Sequence, residues 1–166
     1  FGMEYGPCEM LDMIGVDTAM RAGRTLWEAF PDRIMLTPIL PRLVKLGRLG
    51  WKTGRGFYRY PTHAGPGQPD PELAQILAPY IRHEGSHSDS EIMARLILPM
   101  LLEATRTLAE RVVSEPGDVD LGLLFGLAFP HARGGLLYWA DRVGAAKILE
   151  LLRPLEALGH RMRPTP

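Results

Sequence analysis

Two distant stretches of this chain carry nearly the same pattern of residues. YGPCEMLDMIGVD at residues 5–17 and FPHARGGLLYWADRVG at residues 129–144 both place proline and glycine before an apolar segment that ends in Asp-x-x-Gly. A short apolar segment that stops at a glycine is typical of a helix with a left-handed residue at its C-terminal end. The repetition therefore predicts two copies of one helical unit.

The spacing of apolar residues and the capping signals predict helices along most of the chain. Ser88 and Glu91 form a capping box for the longest helix, which Pro99 should kink. Glu103 lies on an apolar stripe of that helix, which indicates an internal salt bridge to a nearby arginine. Pro154 should bend or break the last helix. The predicted helices cover residues 9–14, 17–30, 37–46, 71–83, 88–113, 118–127, 136–143 and 145–158.

Residues 47–60, GRLGWKTGRGFYRY, interrupt the helical pattern with four glycines and end in an alternating, extended segment. A glycine-rich stretch beside Lys52 and Thr53 raises the possibility of a phosphate-binding loop. No strand is predicted before it and the GxxxxGK[ST] spacing is absent, so a structured turn is the favoured interpretation. Residues 61–71, PTHAGPGQPDP, contain four prolines and two glycines, which predicts a linker.

Composition excludes several classes of protein. The formal net charge is zero, so no basic field favours nucleic acid, and the apolar runs are too short to span a membrane. Cys8 is the only cysteine, which excludes an internal disulfide and fits a cytoplasmic protein. No two histidines share a helix at metal-binding spacing, so no metal site is predicted; the five are His63, His83, His87, His131 and His160.

Several ordered motifs carry a family resemblance. GPCEMLDMIGVDTA followed by LGWKTGRGFYRY resembles the C-terminal helical domain of 3-hydroxyacyl-CoA dehydrogenase. RLILPMLLEATRTLAERVV, with DVDLGLLFGLAFPHARGG and LLYWADRVG, resembles a second such domain. Two in tandem are typical of the multifunctional α-subunit of the fatty-acid β-oxidation complex. The resemblance divides the chain into a first domain at 1–60, a linker at 61–70 and a second copy at 71–166.

The resemblance implies an all-α fold of two related helical units, each like the C-terminal domain of 6-phosphogluconate dehydrogenase. The first unit lacks a counterpart of the long helix, so we expect this chain to be the C-terminal part of a longer protein. In the family, NAD and the catalytic His–Glu pair belong to a preceding Rossmann domain. A catalytic Asn starts the first unit, and its counterpart in the second copy is Ala94. We therefore expect no catalytic residue and no NAD site within this chain.

The resemblance also implies a substrate and partners. Tyr5, Gly6, Pro7 and Met10 correspond to a stretch that borders the acyl-CoA cleft, although a helix-entry turn that packs on its own core is an equal alternative. We expect a homodimer, and a thiolase subunit as a further partner. The chain would then support the substrate cleft and the assembly of an NAD-dependent 3-hydroxyacyl-CoA dehydrogenase. The alternative is a non-catalytic helical module for interaction or dimerisation.

Overall fold

The computed structural model describes residues 1–62, 65–81 and 85–164, and α-helices dominate these ranges. No β-strand occurs in them, and three isolated bridges join residues between Gly50 and Gln68. The predicted all-α fold is thereby confirmed. The eight α-helices are α1 Pro7–Ile14, α2 Val16–Ala29, α3 Ile39–Lys45, α4 Pro71–Leu77, α5 Asp89–Ala109, α6 Pro116–Gly126, α7 Leu136–Val143 and α8 Ala145–Leu152.

Several predicted helix ends are confirmed. Helix α1 ends before Gly15, and α7 occupies the predicted residues 136–143. The hydroxyl of Ser88 accepts a hydrogen bond of 3.2 Å from the Glu91 amide at the start of α5. Helix α8 ends at Leu152, and Pro154 lies in a 3₁₀ segment, Arg153–Leu158, so the predicted break in the last helix is also confirmed.

Other helix ends differ from the sequence prediction. Helix α2 begins at Val16, directly after Gly15, so neither Asp17 nor Thr18 caps it. Helix α6 begins at Pro116, because proline is well suited to the first helical position, and Asp118 lies inside its first turn. Helix α4 ends at Leu77, and the predicted end at residue 83 lies outside the described residues.

The long helix α5 ends at Ala109 rather than near Val113. Arg111, two residues beyond it, adopts a φ of 58°, a left-handed conformation that cannot continue a right-handed helix. The Val112 amide then donates a hydrogen bond of 3.0 Å to the Thr107 carbonyl, back within the last turn. This arrangement is a helix-terminating motif that usually carries glycine at the left-handed position.

The chain divides into two compact units, which are described separately. The first unit comprises Tyr5–Gly85. Its core is built on Val16, Leu43 and Phe57, and two residues of α4, Leu73 and Ile76, pack against that cluster. Helix α4, which the sequence places in the second domain, thus belongs to the first unit. The expected domain boundaries at 60 and 71 stay a prediction.

The second unit comprises Phe1–Glu4 together with Ser86–Pro166. Helix α5 supplies its centre, because residues on both sides of Pro99 are buried in one cluster with residues of α7 and α8. The predicted salt bridge of Glu103 is confirmed: its Oε1 lies 2.5 Å from Nη1 of the buried Arg106. The buried residues of α5 in this cluster are Ile97, Leu98, Leu101, Leu102 and Ala104.

Each unit contains one pair of helices joined by a single glycine. Gly15, between α1 and α2, has φ 95° and ψ 125°. Gly144, between α7 and α8, has φ 88° and ψ 140°. Residues with a Cβ rarely adopt these angles, so glycine is required at both junctions.

Candidate functional site

The buried carboxylate of Asp12 joins two parts of the first unit that are far apart in sequence. Asp12 is fully buried on α1. Its Oδ1 accepts a hydrogen bond from the amide of Phe57 (2.8 Å), and its Oδ2 accepts from the amide of Tyr58 (2.9 Å) and the hydroxyl of Tyr60 (3.0 Å). All three partners are donors, so the carboxylate acts only as an acceptor. Asp12 therefore fixes α1 to the extended end of the glycine-rich segment.

Two glycines allow this segment to close around Asp12. A Cβ on Gly56 would overlap Oδ1 of Asp12, and a Cβ on Gly50 would overlap the Asp12 carbonyl oxygen. The glycine-rich sequence thus accommodates a buried side chain of the protein itself. Its amides at residues 57 and 58 already donate to that carboxylate, which supports the structured-turn interpretation over the phosphate-loop alternative.

Groups around Asp12 are held in their neutral forms. Burial, and then the hydrogen bond to Asp12, raises the pKa of Tyr60 well above its usual value. Burial also raises the pKa of Tyr58, with a further contribution from the negative charges nearby. Burial and the charge of Asp12 raise the pKa of the half-buried Cys8 thiol. The buried carboxylate of Asp12 is therefore surrounded by a thiol and two phenol groups whose pKa values are raised.

The four residues expected to contact substrate lie together at the start of α1. Gly6 precedes the helix in an extended conformation, Pro7 is the first helical residue, and the Met10 amide donates to the Gly6 carbonyl at 3.0 Å. The Gly6 amide is 3.4 Å from Oε2 of Glu9. Tyr5 and Met10 are partly exposed. These residues form the beginning of the helix that Asp12 secures.

A buried ion pair, which sequence reasoning missed, orders the end of the expected linker. Nη2 of Arg48 lies 2.6 Å from Oδ2 of Asp70, and both side chains are buried. Nε of Arg48 donates to the Gly56 carbonyl at 2.9 Å. Burial acts to raise the pKa of Asp70, but the hydrogen bonds from Arg48 and Glu72 and the nearby guanidinium charge lower it overall. The partners are 22 residues apart, so no local motif indicates the pair.

The second unit has its own buried aspartate, at a different helix. Asp120 on α6 accepts hydrogen bonds from the amides of Leu137 (2.7 Å) and Tyr138 (3.0 Å), at the start of α7. Asp141 occupies the place in α7 that Asp12 occupies in α1, yet Asp141 is exposed. Ala94 lines a small cavity of about 110 Å³ together with Phe1 and Trp139. The two units thus share a helical frame but bury different carboxylates.

The described ranges contain no candidate metal site, and two amides of their glycine-rich segment are bonded to a side chain of the protein. Histidine, cysteine and carboxylate side chains form no group of three in the described ranges that could hold a metal; His63 and His83 lie outside those ranges. The amides of Phe57 and Tyr58, near the end of the glycine-rich segment, donate to the carboxylate of Asp12. No described helix is long and apolar enough to cross a membrane.

Comparison with known proteins shows what this chain is similar to. Residues 1–60 match the model of the 3-hydroxyacyl-CoA dehydrogenase C-terminal domain. Over these residues the chain is similar to the C-terminal domain of a 3-hydroxyacyl-CoA dehydrogenase. It is 33% identical over 171 residues to the fatty acid oxidation complex subunit alpha of Pseudomonas savastanoi pv. phaseolicola. The alignment covers 99% of this chain and 24% of that subunit, so the chain spans about a quarter of its length.

Other known proteins are similar to this chain in sequence or in fold. The subunit alpha of Pseudomonas syringae pv. tomato is also 33% identical over 171 residues, with the same coverage of both chains. The 3-hydroxybutyryl-CoA dehydrogenase of Escherichia coli K12 shares the fold, with a TM-score of 0.76 over 99% of this chain and 50% of that one, at 20% identity. The dehydrogenase part of multifunctional enzyme 1 from C. elegans has a TM-score of 0.62 at 25% identity, over 92% of this chain and 34% of that one.

Proposed function

We propose that this chain is the C-terminal helical part of a fatty-acid β-oxidation multifunctional enzyme with NAD-dependent 3-hydroxyacyl-CoA dehydrogenase activity. The observation that carries the proposal is the 33% identity with the fatty acid oxidation subunit alpha across nearly the whole chain. In this role the chain supports the acyl-CoA cleft and the assembly of a cytoplasmic enzyme, as a homodimer that also contacts a thiolase subunit. In this proposal, another part of the enzyme binds NAD and supplies the catalytic residues.

The paired helix–glycine–helix segments support two related helical units. Helices α1 and α7 are each eight residues long, and each directly follows a glycine. The glycines that end these helices, Gly15 and Gly144, have nearly the same φ and ψ. We infer that each unit is like the C-terminal domain of 6-phosphogluconate dehydrogenase and that the first lacks a counterpart of α5. The buried aspartate lies on α1 in the first unit and on α6 in the second, which favours different roles for the two copies.

Within the first unit, we propose that Tyr5, Gly6, Pro7 and Met10 contribute to the acyl-CoA cleft. Asp12 lies on the same helix, two residues after Met10, and is bonded to backbone amides 45 and 46 residues away. A helix held at this point presents its first turn in one fixed place. Asp12 is thus a positioning residue, and the first turn of α1 is the part that would contact substrate.

A chimeric enzyme tests the proposal. This chain replaces the segment of the Pseudomonas savastanoi subunit alpha that aligns with it, and NADH formation from a 3-hydroxyacyl-CoA is followed by absorbance. We expect kcat/KM within about tenfold of the parent, equivalent to about 1.4 kcal/mol of transition-state stabilisation. The parent without the aligned segment is the control. A folded chimera that binds NAD but is no faster than this control would contradict the proposal.

A second candidate function, a helical interaction module, is favoured by exposed apolar residues of the first unit. Ile14 is 53% exposed, Leu26 is 50% exposed and Phe30 is 43% exposed. Covering such side chains contributes about 25 cal/mol per Å² of apolar area. Sedimentation velocity should show association of the chain that is lost in the double variant Leu26→Lys/Phe30→Lys. Val112→Lys, at an exposed position of the second unit, is the matched control, and a monomer at all concentrations would reject this candidate.

A further inference from the structure

The first unit contains a positively charged cavity that the proposed function does not use. The cavity has a volume of about 420 Å³, and its lining includes Arg42, Arg48, Arg55, Glu72 and Gln75. The lining therefore carries three guanidinium groups, one side-chain amide and one carboxylate. Neither Arg42 nor Arg55 has a side-chain hydrogen bond or ion pair with another residue in the ranges that the structure describes.

Arg48 is the buried element of this cavity. Its Nε and Nη2 bond to the Gly56 carbonyl and to Asp70, but its Nη1 is buried and has no hydrogen-bond partner among the described residues. A guanidinium group has five N–H donors, and buried donors are normally paired. Oε2 of Glu72 lies 3.6 Å from Nη1, beyond hydrogen-bond distance. Arg48 thus retains donor capacity at the wall of the cavity.

The Glu72 carboxylate, which lies near this donor, belongs to an exposed side chain. Its side chain is 69% exposed, whereas that of Arg48 is 2% exposed. An exposed carboxylate can rotate into solvent at small cost, because exposed ion pairs are weak. Rotation of Glu72 would open Nη1 to a ligand while the bonds of Arg48 to Gly56 and Asp70 remain in place.

We propose that this cavity binds the phosphate group of a small anionic ligand. Arginine recognises phosphate oxygens through paired N–H donors, and a phosphate dianion would match the excess of guanidinium charge in the cavity. In the bound state Arg42 and Arg55 contact the phosphate from the open side, and Nη1 of Arg48 donates from the wall. The same chemistry is offered by inorganic phosphate and by the phosphate ester of a nucleotide.

Titration of the full chain with inorganic phosphate, and separately with adenosine monophosphate, tests this proposal by calorimetry at low ionic strength. We expect saturable binding of at least one of these two probes. Tighter binding of adenosine monophosphate identifies a nucleotide-type ester as the ligand, and equal or tighter binding of inorganic phosphate identifies the free anion. No saturable binding of either probe would overturn the proposal.

Variants at exposed positions locate the site without disturbing the buried ion pair. Arg42→Gln and Arg55→Gln should each weaken binding about fivefold, and Glu72→Gln should strengthen it about fivefold, because a surface ion pair contributes about 1 kcal/mol. Arg24→Gln is the matched control: Arg24 is exposed, lies in the same unit and pairs with Glu28 at 2.8 Å. Equal effects of Arg24→Gln and Arg42→Gln, or no gain in Glu72→Gln, would overturn the proposal. The chimera that tests the dehydrogenase role gives an independent result.

Discussion

Oδ1 of Asp12 lies 2.8 Å from the amide nitrogen of Phe57, a residue 45 positions further along the chain. This hydrogen bond joins the first helix to the glycine-rich segment. The hydroxyl of Tyr60 donates to the other oxygen of the same carboxylate. Changes in this network should therefore be measurable as changes in the stability of the first unit.

Tyr60 should make stability depend on alkaline pH. Its pKa is raised by burial and by the hydrogen bond to Asp12, so the folded protein keeps the proton above about pH 10, where the unfolded chain loses it. Stability from this group is complete below pH 10 and is lost as pH rises towards the folded pKa. In urea unfolding, Tyr60→Phe should reduce the alkaline fall in the free energy of unfolding. Tyr138→Phe, a half-exposed tyrosine, is the control, and equal falls in wild type and Tyr60→Phe would refute the prediction.

Arg111→Gly should stabilise the second unit. Arg111 has a φ of 58° beyond the end of α5 and is exposed, and a residue with a Cβ is strained in this conformation. We expect the free energy of unfolding to rise by about 1 kcal/mol, because glycine is the usual residue at this position. Arg153→Gly changes another exposed arginine, in a right-handed conformation, and should not stabilise. A loss of stability in Arg111→Gly would show that the side chain contributes more than the strain costs.

Pro99→Ala should stabilise far less than proline removal does in an isolated helix. Restoring a good helix former there contributes up to about 3 kcal/mol. In this chain Ile97, Leu98, Leu101 and Leu102, on both sides of Pro99, are buried in one cluster. Any shift of the helix axis on replacement of Pro99 would move one of these pairs away from its neighbours. We expect a gain below about 1 kcal/mol in thermal unfolding, and a gain near the full amount would mean that the packing of α5 does not depend on Pro99.

Local signals in the sequence predicted the helices well and the contacts between them poorly. Gly15 and Gly144 stop their helices where the sequence indicates, because the requirement for glycine is set by the backbone of one residue. In the sequence, nothing nearby distinguishes Asp12 and Asp120 from an exposed aspartate on a helix. Their donors lie 45 and 17 residues away, so their burial depends on how the chain folds back. The same reason hides the ion pair between Arg48 and Asp70.

The expected linker shows where composition misleads. Its prolines and glycines indicate a flexible connection, yet Gln68 exchanges two backbone hydrogen bonds with Arg59. Asp70, at its end, caps α4 and pairs with Arg48. These contacts attach α4 to the first unit, which extends to Gly85. The expected substrate residues, by contrast, are close in sequence and therefore lie together at the start of α1.

The glycine-rich segment is built around the carboxylate of Asp12. Urea unfolding of Asp12→Asn and Asp141→Asn compares the same position of the two helix–glycine–helix segments, buried in one and exposed in the other. An amide NH₂ cannot accept the hydrogen bonds that one carboxylate oxygen receives, so Asp12→Asn should lose about 3 kcal/mol. Asp141→Asn should stay within about 0.5 kcal/mol of wild type. Equal effects of the two substitutions would contradict the claim.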